Sequence, residues 1–146
     1  MNITCYCNIR DMKQILLILA VLITGLLAIG CKASVGLGEE FSLAAGKGAV
    51  VRGENLEITF LEVTEDSRCP KEVTCVWEGR ARSLVRIISY SIDVEIELTE
   101  PGLTDEGNDV IFRNYLITYH LLPYPQANVE TNRSDYRLRL TINKLK

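Results

Sequence analysis

Ala81-Arg82-Ser83-Leu84-Val85-Arg86-Ile87-Ile88-Ser89-Tyr90-Ser91-Ile92-Asp93-Val94-Glu95-Ile96-Glu97-Leu98 changes phase at its middle. Apolar side chains fall at Val85 and Ile87, then at Ile92, Val94, Ile96 and Leu98, so alternation of period two switches from odd to even positions. Such alternation marks a strand with one buried face, because successive side chains point to opposite sides of a sheet. A hairpin centred on Ser89-Tyr90 explains the switch. It sets Val85 opposite Val94 and Ile87 opposite Ile92 on one face, and Arg86 opposite Asp93 and Arg82 opposite Glu97 on the other. Opposite-charge pairs of this kind add roughly 0.2 to 1 kcal/mol each. They give both arginines a place on a solvated sheet face rather than in an anion site. Ser-Tyr is a poor two-residue turn, so a four-residue loop from Ile88 to Ser91 in the same register serves equally, and a bulge in one long strand is the competing reading.

The same period recurs on either side. Leu56, Ile58 and Phe60 alternate with Glu57 and Thr59, and Tyr136, Leu138, Leu140 and Ile142 alternate with Arg137, Arg139, Thr141 and Asn143. Glu100-Pro101-Gly102 closes the hairpin, Thr104 to Asp109 reads as a loop, and Ile111 to Leu122 reads as one strand halted by Pro123-Tyr124-Pro125. A polar connection, Gln126 to Ser134, leads to the final strand, and Gly46-Lys47-Gly48 reads as a turn rather than a phosphate loop. No stretch after Cys31 has helical periodicity. The expectation is an all-β fold over residues 41–146, a single small antiparallel sandwich or open barrel of about six to eight strands.

The N-terminus has a different character. Ile15 to Ile29 is an almost unbroken apolar run preceded by Lys13. A spanning helix needs about 20 apolar residues, whereas the apolar region of a signal peptide needs only about 7 to 15 after a positive segment. The run ends in Leu27-Ala28-Ile29-Gly30-Cys31, which resembles the lipobox of prokaryotic lipoproteins, with Ala28 where Leu is commoner. The resemblance implies a signal peptide over 1–30, a diacylglyceryl group on the Cys31 thiol and cleavage just before it. An uncleaved single-span anchor is the alternative, and it tethers the same domain to the same side. Met12-Lys13 makes a more ordinary signal start than Met1, which would leave Cys5 and Cys7 outside the protein. Residues 31–40 read as the lipidated N-terminus and a short tether, small and polar. Lys32 after the lipidated cysteine resembles the outer-membrane-sorted pattern of a two-membrane cell; in a single-membrane cell the site is the outer face of the plasma membrane.

From Cys31 onward 116 of the 146 residues remain. A chain of that size buries roughly 65% of the surface its unfolded form exposes, enough for one modest core. Setting aside Arg10, Asp11 and Lys13, this part carries 14 basic and 18 acidic residues, interleaved, for a net charge of −4. Duplex binding needs a concentrated basic stripe, so nucleic acid is excluded as a partner.

If lipid consumes Cys31, the mature domain keeps two thiols, Cys69 and Cys75, on the oxidising side of a membrane. An even remainder in an exported chain argues for a disulfide. A metal pair or a catalytic thiol are the alternatives. Zinc wants four ligands, however, and His120 is the only histidine. The acids of the Thr104–Asp109 stretch lack the spacing of a dedicated calcium loop, so no metal and no cofactor is expected. Asn132-Arg133-Ser134 is a formal glycosylation acceptor.

Glu65-Asp66-Ser67-Arg68-Cys69-Pro70, followed by Cys75-Val76-Trp77-Glu78-Gly79, resembles the DSRCP-x4-C-x-W-x-G signature of a family of small prokaryotic lipoproteins with no assigned activity. A later L-x-P-x-P and a Tyr-containing last strand complete the pattern, and Leu121 to Pro125 and Tyr136-Arg137-Leu138 stand in those places. The resemblance implies export and architecture, and supplies no function. Two readings of the motif stand side by side. In one it is a structural corner, with the Trp77 indole packed on the disulfide, Gly79 allowing close approach, and Asp66 and Ser67 bonding the loop backbone. In the other, Asp66, Arg68 and Trp77 form a binding patch of acid, base and aromatic beside a rigid loop.

No nucleophile-base-acid trio is visible, and no catalytic residue is assigned. The function expected is a non-catalytic, lipid-anchored module that binds an envelope protein or glycan; the alternative is a small envelope enzyme or enzyme inhibitor. Paired carboxylates brought together by folding would serve the second.

Overall fold

The computed structural model describes residues 32–102 and 108–146. The signal segment, Cys31 and most of the loop read at 104–109 lie outside the described residues.

The fold is all-β, two mostly antiparallel sheets that do not close into a barrel. Among the described residues there are nine strands: β1 (Ala33–Val35), β2 (Glu40–Ala44), β3 (Lys47–Val51), β4 (Leu56–Asp66), β5 (Arg80–Ser89), β6 (Ile92–Pro101), β7 (Asn108–Phe112), β8 (Tyr115–Leu122) and β9 (Arg137–Lys144). One sheet has the order β1-β3-β4-β5-β6 and the other β2-β9-β8-β7. Only the β1–β3 pair is parallel. No helix among the described residues is long and apolar enough to cross a membrane.

The core lies between the sheets and is supplied by the period-two positions. Leu56, Ile58 and Phe60 of β4, Val85 and Ile87 of β5 and Leu98 of β6 face Ile117 and Leu121 of β8 and Leu138, Leu140 and Ile142 of β9, all buried. Each fully buried aliphatic or aromatic side chain contributes about 1.5 to 3 kcal/mol relative to exposure.

The β5–β6 hairpin forms, but its register differs from the expected one by two residues. Ser89 pairs with Ile92, so the turn is Tyr90-Ser91, and Val85 faces Ile96 while Ile87 faces Val94. A slip of two leaves every side chain on its own face, which is why alternation alone does not fix it. Tyr90 takes φ +54° to close the two-residue turn. Arg86 now stands opposite Glu95 and still bonds Asp93 (Nε to Oδ1, 2.6 Å), and Arg82 stands opposite Thr99 and still pairs with Glu97 at 3.0 Å. Both ion pairs are diagonal rather than directly cross-strand.

Three further boundaries differ. Ile111 to Leu122 is not one strand: Phe112 pairs with Tyr115, and Arg113-Asn114 turns the chain with Arg113 at φ +56°. Asn108 and Asp109 open β7 instead of belonging to the loop. Residues 32–40 do not form a free tether, since β1 pairs with β3, Val35 is buried and Glu40 opens β2. Val35 is an apolar side chain that finds a place in the core, and the backbone of Ala33 and Ser34 finds a partner on the edge of β3.

Candidate functional site

Two register shifts in β4, between Phe60 and Glu62 and between Val63 and Glu65, each insert one extra residue opposite β5. A bulge reverses the alternation beyond it, so two of them restore it. Asp66 therefore pairs with inward-facing Ala81 and points toward the core, while Glu65 pairs with Arg82 on the outside. The ladder then continues past the strand ends: Ser67 N–H donates to Arg80 O at 2.8 Å and Cys69 N–H to Glu78 O at 3.1 Å.

Arg68 turns its side chain fully inside, with 0% of it exposed. Nε and Nη2 donate to the two Asp66 carboxylate oxygens at 2.9 and 2.8 Å. Nη1 donates to Leu121 O at 2.8 Å and to Glu100 Oε1 at 3.3 Å, and Nη2 also donates to Pro123 O at 3.0 Å. A guanidinium has five N–H donors, and each has an acceptor here. Burial on its own would disfavour the cation, but Asp66 and Glu100 outweigh it and the Arg68 pKa is raised.

Around this cation the rest closes up. Tyr136 OH donates to Asp66 Oδ2 at 3.0 Å, Leu121 N–H donates to Glu100 Oε2 at 2.8 Å, and His120 Nδ1 lies 2.8 Å from Glu100 Oε1. The Tyr124 ring stacks on the Arg68 guanidinium, 5.0 Å from its centroid, and its hydroxyl bonds Gly102 O. Among the described residues the β7–β8 pairing runs as far as Asn108 and Tyr119. Beyond it side chains meet the Leu121 backbone, Glu100 taking the N–H and Arg68 the C=O.

The opposite side of the corner depends on two glycines. A Cβ on Gly79, which sits at φ +69°, would lie 1.8 Å from Ser67 O, and one on Gly102 would lie 1.8 Å from Glu78 O. Between these anchors the loop contributes almost nothing to the core. Cys69 is buried, yet Lys71 through Glu78 are all exposed. Cys69 and Cys75 are disulfide-bonded with their Cα atoms 6.0 Å apart. Closing so short a ring restricts the unfolded chain by about 2 kcal/mol.

Beside the loop an open cleft of about 690 Å³ runs between the edges of the two sheets, lined among others by Glu65, Ser67, Trp77, Arg80, Asp109 and Tyr119. Its polar groups are held in place. Arg80 Nε donates to both Glu65 oxygens at 3.2 and 3.1 Å, Ser67 Oγ donates to Glu65 Oε1 at 3.1 Å, and Thr118 Oγ1 donates to Asp109 Oδ1 at 2.6 Å. Burial pushes the Glu65 carboxyl up, but the hydrogen bonds from Arg80 and Ser67 and the charges of Arg80 and Arg82 outweigh it, and the net shift is downward.

Of the residues proposed for a patch, Asp66 and Arg68 are brought together inside the protein, and Trp77 stands apart, 75% exposed, on the cleft. The indole is therefore not buried against the disulfide. Glu100, His120, Tyr124 and Tyr136 complete the buried cluster without having been singled out for it. Glu100 carried a readable signal, since it continues the inward series Val94, Ile96, Leu98 as a charged residue in a core phase. Among the described residues no group of three or more His, Cys, Asp or Glu side chains is placed to hold a metal ion. In comparisons with known proteins, no family model, no curated protein and no solved structure matches this chain.

Proposed function

We propose that the protein is a lipid-anchored cell-envelope module that binds an envelope protein or glycan through the loop at 70–79 and the cleft beside it. One observation carries the reading: Trp77, 75% exposed, is presented at a cleft by a loop that is pinned by a disulfide and by a fully buried arginine. Large aromatic side chains left in solvent on a rigid support are the anchors that binding surfaces use. The rival reading, a small envelope enzyme, calls for an acid in the cleft whose pKa is raised.

The anchoring part of the proposal rests on the lipobox resemblance. Ala33, two residues after Cys31 in sequence, is already in the sheet. Strand β1 is one edge of its sheet, and β6, which borders the cleft, is the other. The domain would then lie on the non-cytoplasmic side of that membrane, as the lipobox resemblance implies.

The test compares the mature protein, a Trp77→Ala variant and a Tyr90→Ala variant for binding to isolated envelope fractions. Tyr90 is also an exposed aromatic, but lies in the turn of the β5–β6 hairpin, at the far end of both strands. Loss of binding by about tenfold or more for Trp77→Ala with Tyr90→Ala unchanged supports the reading. Equal binding by all three contradicts it.

A further inference from the structure

We infer that the cleft at Trp77 takes a non-anionic polysaccharide chain, neutral or amino-bearing; this rests on the binding-module reading above and names its ligand class. Sugar rings have an apolar face of C–H groups and a rim of hydroxyls. A site for them needs a flat apolar platform beside fixed hydrogen-bonding groups, in an open groove that lets a chain pass. All of these are present. Trp77 supplies the platform and stands in solvent. The Glu65–Arg80 pair presents carboxylate acceptors next to guanidinium donors, the arrangement that matches two neighbouring hydroxyls on one ring. Asp109 also lines the cleft, with its carboxylate bonded by Thr118 Oγ1. Groups held by their own neighbours lose little freedom when a ligand arrives.

The sign of the charge narrows the class. Among the described residues Glu65, Glu78 and Asp109 line the cleft against Arg80, so that lining is net acidic, and polyanionic chains are disfavoured by like charge. Val73 and Val76, the other exposed apolar side chains of the loop, are not among the residues lining the cleft, and a protein partner would be expected to cover them instead.

Trp77 is the only tryptophan, so its fluorescence reports the site directly. The mature protein is titrated with a hexamer of N-acetylglucosamine, its deacetylated form, a glucose β-1,4 hexamer, and oligogalacturonate as the anionic comparison. The expected result is a saturable change in emission with at least one neutral or amino oligomer, and weaker or no response to oligogalacturonate. In calorimetry, Trp77→Ala then lowers affinity about tenfold or more. Glu65→Gln, which removes the carboxylate beside Arg80, weakens binding several-fold. Absence of any saturable response up to about 10 mM, or preference for the anionic oligomer, overturns the inference. If the oligosaccharides fail while envelope binding still depends on Trp77, the sugar assignment falls and the binding module stands. If envelope binding is also independent of Trp77, both fall.

Discussion

The Arg68 guanidinium donates to the Leu121 carbonyl oxygen at 2.8 Å across 53 residues of sequence. That bond ties the first of the two sheets to the second at the β8 residue next to His120. It also brings the scattered motifs of the chain to one place. Asp66 and Arg68 of the DSRCP stretch, Pro123 and Tyr124 of LLPYP, and Tyr136 at the start of the last strand all meet at this side chain.

Replacing Arg68 by Met leaves two carboxylates, Asp66 and Glu100, buried without their cation and frees the Leu121 and Pro123 carbonyls. Breaking a buried pair from one side costs about 3 to 5 kcal/mol, a large share of a small domain's stability. Urea denaturation followed by far-UV circular dichroism is expected to show that loss for Arg68→Met and less than about 0.5 kcal/mol for Trp77→Ala, which removes an exposed side chain. Equal effects would mean that the corner does not depend on the arginine.

Gly79→Ala is expected to destabilise by about 2 kcal/mol or more, since a left-handed backbone and a direct overlap with Ser67 O act together. Gly53→Ala serves as the comparison, because Gly53 has φ +77° but open space around it, so it isolates the backbone cost of about 1 kcal/mol. The gap between the two variants in denaturant midpoint measures the close approach of the two loop arms.

Alkaline solution should unfold the domain earlier than its other ionisations require. Burial and Glu54 push the Tyr115 hydroxyl up to about 12, and burial and Asp66 push Tyr136 up to about 12. Between pH 10 and about 12 the unfolded chain loses these protons while the folded one keeps them, so stability falls as pH rises, by up to about 1.4 kcal/mol per unit for each tyrosine. Below pH 10 the contribution is fully present. Tyr136→Phe lowers stability at neutral pH, through the lost bond to Asp66, and flattens the decline above pH 10. Denaturant midpoints measured across that range give both slopes.

The all-β architecture was legible because alternation of period two is dictated by the pleat, though it left a sandwich and an open barrel side by side, and the β5–β6 hairpin followed from one change of phase. What alternation cannot carry is a displacement by two, since Val85 stays inward whether it faces Val94 or Ile96. The turn at Arg113-Asn114 was hidden for a related reason: neither residue is glycine, and the apolar run reads straight through it. The disulfide was legible because Cys69 and Cys75 are the two cysteines that remain once the expected lipid acceptor Cys31 and the segment before it are set aside. The buried cluster was half legible. Asp66 and Arg68 stood out as charged residues in a motif, but their direction did not, because two bulges in β4 decide it and no residue there announces a bulge. Glu100 in a core phase was the one available sign that a buried cation had to be nearby.

The measurement closest to the centre of the account is the intact mass of the protein extracted from its native membrane, with and without reduction and thiol alkylation. The expected result is a chain beginning at Cys31 that carries lipid, with Cys69 and Cys75 alkylated only after reduction. An unlipidated chain that retains residues 1–30, or two thiols that alkylate freely without reduction, would contradict it.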